Sequence, residues 1–155
     1  MAEYGANALQ TVNPGESVVF TASPIPCNRG LIMHRDETGD FLLKGYVPGS
    51  CRCSCRNQNT ANYEASFAAN IAIPEGGTVG PISVAIAVNG TTVPYSTMIA
   101  TPAAAEEFWN VARRVTVPIW KGCCQTVSVR NTSSQPILVE NANIVFSRPD
   151  LYRSY

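Results

Sequence analysis

The sequence predicts an all-β protein, a two-layer sandwich or barrel. Eleven prolines and eleven glycines cut the 155 residues into short stretches. Between them lie alternating or apolar runs rich in Val, Ile and Thr, as in strands that bury one face. Asn89-Gly90 joins two such runs in the pattern of a tight hairpin.

The elements follow in order. After the turn residues Asn13-Pro14-Gly15-Glu16, Ser17–Ser23 reads as a strand. Gly30–His34 and Asp40–Tyr46 flank a hairpin loop that ends at Gly39. Ala61–Ile73 sets Tyr63, Ala65, Phe67, Ala69, Ile71 and Ile73 on one face, and Glu75-Gly76-Gly77 breaks it. Pro81–Val88 runs into Asn89-Gly90, and Thr91–Ala100 returns. Val115–Ile119 ends at Lys121-Gly122; Cys124–Asn131 and Pro136–Arg148 complete the set. From Ala61 to Val88 both faces are apolar but built of small residues, among them Ala65, Ala68, Ala72, Ala85 and Ala87. Strands of that kind belong in a sheet interior or a subunit contact. Thr101–Arg114 satisfies the local rules for a helix, with Thr101 as cap, Pro102 first, acids early and arginines late. Trp109, Val111, Val115, Val117 and Ile119 also alternate, so a strand is expected over Phe108–Ile119, with a helical turn at Pro102–Glu106.

The length suits one domain, 1–155. Eleven basic and eleven acidic residues give no net charge, hence no electrostatic reason to expect nucleic acid or an anionic membrane as partner. Charged residues are 14% of the chain, against about 25% in ordinary soluble domains, which leaves neutral surface for a subunit contact. The first ten residues lack the basic and apolar regions of a secretory signal, so synthesis in the cytosol with reduced thiols is expected.

Sulfur is the most conspicuous chemistry. Cys51, Cys53 and Cys55 would share one face of a strand, with Arg52, Ser54 and Arg56 on the other. Such neighbours do not aim their Cβ atoms at each other, which disfavours disulfides among them, and C-x-C-x-C is a poor zinc spacing. Cys123 and Cys124 are adjacent. The leading reading is small apolar groups packed in a sheet or an interface. A disulfide from the first group to Cys123 or Cys124, and a metal site, stay open.

No catalytic set emerges. His34 is the single histidine; despite Asp36 and Glu37 nearby it reads as ordinary surface. No second histidine, nucleophile elbow or phosphate loop is present. Glu106 and Glu107, adjacent on a strand, would face opposite ways and stay solvated. Arg113 and Arg114 would place one charge inward or at an interface and one outward. Asn89-Gly90-Thr91 and Asn131-Thr132-Ser133 fit the glycosylation pattern but read as turn asparagines. The expectation is therefore a non-enzyme with no cofactor or metal. The tail from Arg148 holds Leu151, Tyr152, Arg153 and Tyr155, residue types that favour interfaces.

The pieces "GESVVFTAS", "GLIMHRDETGDFLLKGYVPG", "SFAANIAIPEGG", "SVAIAVNGTTVPYSTMI" and "VTVPIWKGCCQTVSVRNTSSQPILVENANIVFSR" resemble the tumour-necrosis-factor and complement globular-head superfamily. They are most similar to its small versions in Gram-positive bacteria and their phages, including the heads of collagen-like spore-surface filaments. The "AVNGTTVP" hairpin and the "VSVRNTSSQPILVENANI" ending carry the likeness, which spans Asn7 to Arg148. It implies a jelly-roll sandwich of about ten strands, assembling as a homotrimer about a threefold axis. Short extensions, 1–7 and 149–155, would lie together at one end, with Tyr4, Leu151, Tyr152, Arg153 and Tyr155 forming an anchor. No collagen-like stalk precedes the domain, so the expected function is a structural protein of a phage virion surface, a capsid decoration or head-fibre trimer bound to other virion proteins. The alternative is an adhesion head binding a host-surface glycan through loops Asp36–Asp40 and Gly49–Asn59.

Overall fold

The computed structural model describes residues 1–27, 29–47 and 59–151. Twelve strands among them form two antiparallel sheets of six. The first sheet runs β10 (Trp109–Trp120), β6 (Thr60–Ala72), β12 (Ile137–Ser147), β1 (Ala2–Ala6), β3 (Ala22–Ile25), with β2 (Gln10–Val12) paired to the start of β12. The second runs β4 (Ile32–His34), β5 (Phe41–Lys44), β11 (Cys124–Asn131), β7 (Ile82–Val88), β8 (Thr91–Thr92), with β9 (Met98–Ala100) also on β7. The all-β jelly-roll expectation holds.

Alternation builds the core. Along β6, Ala61, Tyr63, Ala65, Phe67, Ala69 and Ile71 are all buried, while the residues between them are half-buried. Val111, Val115, Val117 and Ile119 of β10 bury on the same side, in unbroken register from Trp109 opposite Ile71 to Trp120 opposite Thr60. The inner face of the second sheet supplies Phe41, Leu43, Val84, Ile86, Val127 and Val129. Asn89 and Gly90, with φ of 49° and 82°, make the expected hairpin turn between β7 and β8. Both edge strands of the first sheet carry a proline, Pro118 in β10 and Pro24 in β3. Proline supplies no ladder donor, so these edges resist pairing with another chain.

Three expectations are corrected. The N-terminus is no extension. Ala2–Ala6 is an interior strand between β12 and β3, from Ala2 opposite Phe146 to Ala6 opposite Ala142. Tyr4 is only 3% exposed, its ring 4.8 Å from Phe41 and 5.1 Å from His34, so it is a core residue and not an anchor.

Ser17–Ser23 is no continuous strand. Ser17 and Phe20 make isolated bridges to Arg130 and Thr38 as the chain crosses between the sheets, and β3 begins only at Ala22. Gln10 substitutes for a strand partner there: its amide oxygen accepts from Val19 N at 2.9 Å and its amide nitrogen donates to Val19 O at 3.0 Å. Finally, Pro102–Glu106 forms a turn and no helical turn. Glu106 N donates to Ile73 O at 2.8 Å, and Glu106 takes a left-handed φ of 60°. The strand expected over Phe108–Ile119 is present as β10.

Removing Met1–Ala6 therefore unfolds the domain instead of trimming it. Tyr4→Ala lowers the unfolding free energy by about 3–5 kcal/mol, the scale of buried aromatic truncations. Urea denaturation of the variant checks this; a change below about 1 kcal/mol would place β1 outside the cooperative core.

Candidate functional site

The outward face of the first sheet is made by the other half of the alternation. Register aligns two rungs across it, Ala112–Ala68–Asn143–Gly5 and Arg114–Ser66–Val145–Glu3. The first has no side chain longer than asparagine. The result is a pair of shallow hollows, about 330 Å³ over Ser66, Ala68 and Ala112, and about 470 Å³ over Gly5, Ala6 and Ala22. The charges on this face are Glu3, Glu64, Arg114 and Glu140, with Arg113 at the rim of the first hollow. Arg114 lies 3.5 Å from Glu64, and Glu3 accepts from Asn143 at 2.6 Å.

One border of the face is a row of four asparagines from four separate segments. Asn110 donates to Asn70 at 3.2 Å, Asn70 to Asn141 at 3.3 Å, and Asn141 to Asn7. Asn141, with φ of 52°, sits in the irregularity of β12 between Glu140 and Asn143 that brings it into line. The row escaped sequence reasoning because it exists only once the register is known; the one local signal was the small or polar outer set of β6. The second sheet's β9 side, near β10, exposes Tyr95 and Ile99 at 66% and 67%. Arg113 donates from Nε to Tyr95 O at 3.1 Å there, so both Arg113 and Arg114 are exposed and neither turns inward.

At the end of the sandwich where the chain starts, Met1 and Leu151 line one cleft of about 210 Å³ with Cys27, Arg29, Tyr63 and Arg148. Leu151 is thus a half-buried cleft residue, while Tyr152, Arg153 and Tyr155 lie outside the described residues. Arg148, 3% exposed, clamps this end. Its Nε and Nη2 donate to both Asp150 carboxylate oxygens at 2.8 and 2.6 Å, and Nη1 donates to Tyr46 O at 3.0 Å. The guanidinium stands 4.8 Å from the Tyr63 ring centre. Burial opposes its charge, but Asp150 and Tyr63 outweigh burial and hold Arg148 above the usual arginine value.

The same end carries Cys27, Cys123 and Cys124. Cys123, in the turn after β10, and Cys124, at the start of β11, are both exposed and free, so neither is packed inside the sandwich. Cys27 is half-buried and free. Cys51, Cys53 and Cys55, with most of the Gly49–Asn59 loop, lie outside the described residues. The turn approaches Gly45 closely: Gly45 N donates to Cys123 O at 2.7 Å, and a Cβ on Gly45 would stand 2.1 Å from Trp120 O.

His34 is not ordinary surface. Its ring stacks on Phe41 at 4.4 Å, and its two nitrogens meet Asp40 O and Phe20 O, each at 3.1 Å, pinning the β4–β5 turn to the crossing segment. Asp36 and Glu37 remain exposed. Glu107 does more than face solvent: it accepts from Ala103 N and from Trp109 Nε1 at 2.8 Å, which fixes the exposed indole. Asn131 is 1% exposed, with its amide bonded to Val12 O, Gln135 O and Ser133 N, so a glycan has no room there. Asn89 fills its expected turn. Among the described residues, no three His, Cys, Asp or Glu side chains converge as a metal site.

Burial raises the Tyr4 and Tyr63 hydroxyls above the usual tyrosine value of 10.0, and at Tyr63 Arg148 partly offsets it. The folded state thus holds these protons more tightly than the unfolded chain. Their contribution is complete below about pH 10 and is lost as pH rises through the folded values. Urea midpoints measured from about pH 8 to pH 11 should fall above about pH 10, and less steeply in Tyr63→Phe. An unchanged slope in that variant would remove Tyr63 from the account.

The sequence matches no protein-family model and no curated protein. Solved structures do match the fold. The chain is similar to the globular domain of zebrafish complement 1qA protein, with a TM-score of 0.58 and 12% identity, over 93% of this chain and 94% of that one. It is also similar to Eiger TNF from S. frugiperda, with a TM-score of 0.63 and 11% identity, over 95% and 90% of the two chains. The fold is the tumour-necrosis-factor and complement-head type of jelly roll.

Proposed function

We propose that this chain is a non-enzymatic structural head that works as a homotrimer on the surface of a phage virion. One observation carries the assembly: the outward face of the first sheet offers hollows floored by Ala68, Ala112 and Gly5, with Arg114 beside Glu64 and Glu3 hydrogen-bonded to Asn143. Such a face loses little by being covered, because few polar groups would be stranded. The proline-bearing edges turn association away from strand addition and toward this face. Exposed Tyr95 and Ile99, on the flank beside β10, are apolar groups of the size that fills hollows of this kind. The virion assignment rests on the resemblance to the small phage and bacterial versions of the fold.

The row Asn110–Asn70–Asn141–Asn7 favours a second reading, a glycan-binding head, because exposed amides present donors and acceptors to hydroxyl groups.

Light scattering of the wild type is expected to give about three times 16.6 kDa at all dilutions. Ala68→Glu and Ala112→Glu fill the hollow with a longer, charged side chain that must be desolvated in the covered face, and should yield folded protein of 16.6 kDa. Wild-type mass at 16.6 kDa, or both variants still trimeric, would overturn the assembly. Immunogold electron microscopy tests the location: label on phage heads supports the virion role, and label confined to bacterial or spore surfaces gives the adhesion head its place.

A further inference from the structure

The net charge is zero, but the fold sorts it. Exposed Arg29, Lys44 and Lys121 gather at the end where the chain starts, and none makes an ion pair among the described residues. Pairing places them there. Lys44 ends β5 opposite Cys124, Lys121 lies in the turn held to Gly45, and Arg29 lines the cleft with Met1. Asp150 beside them is held by Arg148.

The opposite end is acidic. Glu16 meets Asn131 at the end of β11, Glu75 follows β6, and Glu106 is hydrogen-bonded to Ile73, with Glu107 next to it. The β4–β5 turn adds Asp36, Glu37 and Asp40 to the same half, against Arg35 and Arg130. Each end also exposes large apolar side chains. Tyr46 and Trp120 are 56% and 62% exposed at the basic end; Leu9, Val79 and Trp109 are 55%, 53% and 44% exposed at the acidic end. Apolar groups bordered by charge are the usual anatomy of a protein contact, and here the two borders have opposite sign.

We infer that the basic end of one copy docks on the acidic end of the next, so that the protein stacks head to tail. Such a contact is heterologous and does not close, so it propagates as a fibre. It uses the ends of the sandwich and is independent of the lateral face and of the virion reading. In a trimer with parallel axes, three end contacts would form together and strengthen each step. Most of these charges are exposed, Glu107 and Arg130 being half-buried, so salt opposes stacking: the screening length falls from about 30 Å at 0.01 M to about 3 Å at 1 M.

Sedimentation velocity on purified full-length protein tests this. The species at about 0.5 M salt, monomer or trimer, defines the unit, so failure of the trimer leaves the test intact. At about 20 mM salt the wild type should form a concentration-dependent ladder of that unit, with an association constant at least about tenfold higher. Lys44→Glu with Lys121→Glu makes both ends acidic, and Glu16→Lys with Glu75→Lys and Glu106→Lys makes both ends basic. Each multiple variant alone should remain a single unit with wild-type circular dichroism, and an equimolar mixture of the two should restore the ladder. The inference is overturned by a wild type that stays a single unit at low salt, by variants that stack alone, or by a mixture that does not. Capture of duplex DNA by wild type that shows no ladder would assign the basic end to nucleic acid instead.

Discussion

The alternation of β6 is the constraint on which the rest of this structure depends. Its thirteen residues, Thr60–Ala72, lie between β10 and β12 and send every second side chain inward. Each large apolar residue so buried contributes roughly 1.5–3 kcal/mol, and a slip of one residue would turn the whole set to solvent. Tyr63, Phe67 and Ile71 therefore fix the register, and the register decides which residues meet outside. Small inner residues such as Ala65 and Ala69 leave room beside the rings, as close packing of unequal side chains requires. The hollows over Ala68 and Ala112 follow from the same pairing.

Local features of the sequence made much of the fold legible. The alternating faces of Ala61–Ile73 and Val115–Ile119, and the Asn89-Gly90 turn, depend on neighbours in the chain and appear where expected. What stayed hidden depends on distant partners. Ala2, Tyr4 and Ala6 alternate over too short a run to identify β1, whose partner strand lies some 140 residues away in sequence. Ser17–Ser23 alternates as well, but its hydrogen-bonding partner at Val19 is the Gln10 side chain. Arg148 looked like the start of an adhesive tail, and only the closed sandwich sets it over Tyr63 with Asp150 across its fork.

The same limit applies to the surfaces. Composition gave a charge-poor, neutral chain, which raises the expectation of contacts between copies but does not tell where the charges lie. The strands carry both tendencies at once. Across them, pairing lines up small side chains into a face; along them, the turns collect acids at one end and bases at the other. Sideways association would draw more on apolar burial and end-on association more on salt, because small side chains floor the hollows of one surface and the others are ringed by exposed charge.

The claim that the outward face of the first sheet is covered by another copy is tested most directly by a nitroxide label at its centre. Ala68→Cys, in a background with the six natural cysteines changed to serine, accepts the label at one position. A covered face gives an immobilised spectrum that becomes mobile only when Ala112→Glu is added. A freely tumbling label in the parent protein would show that the face is open to solvent, and would contradict the account.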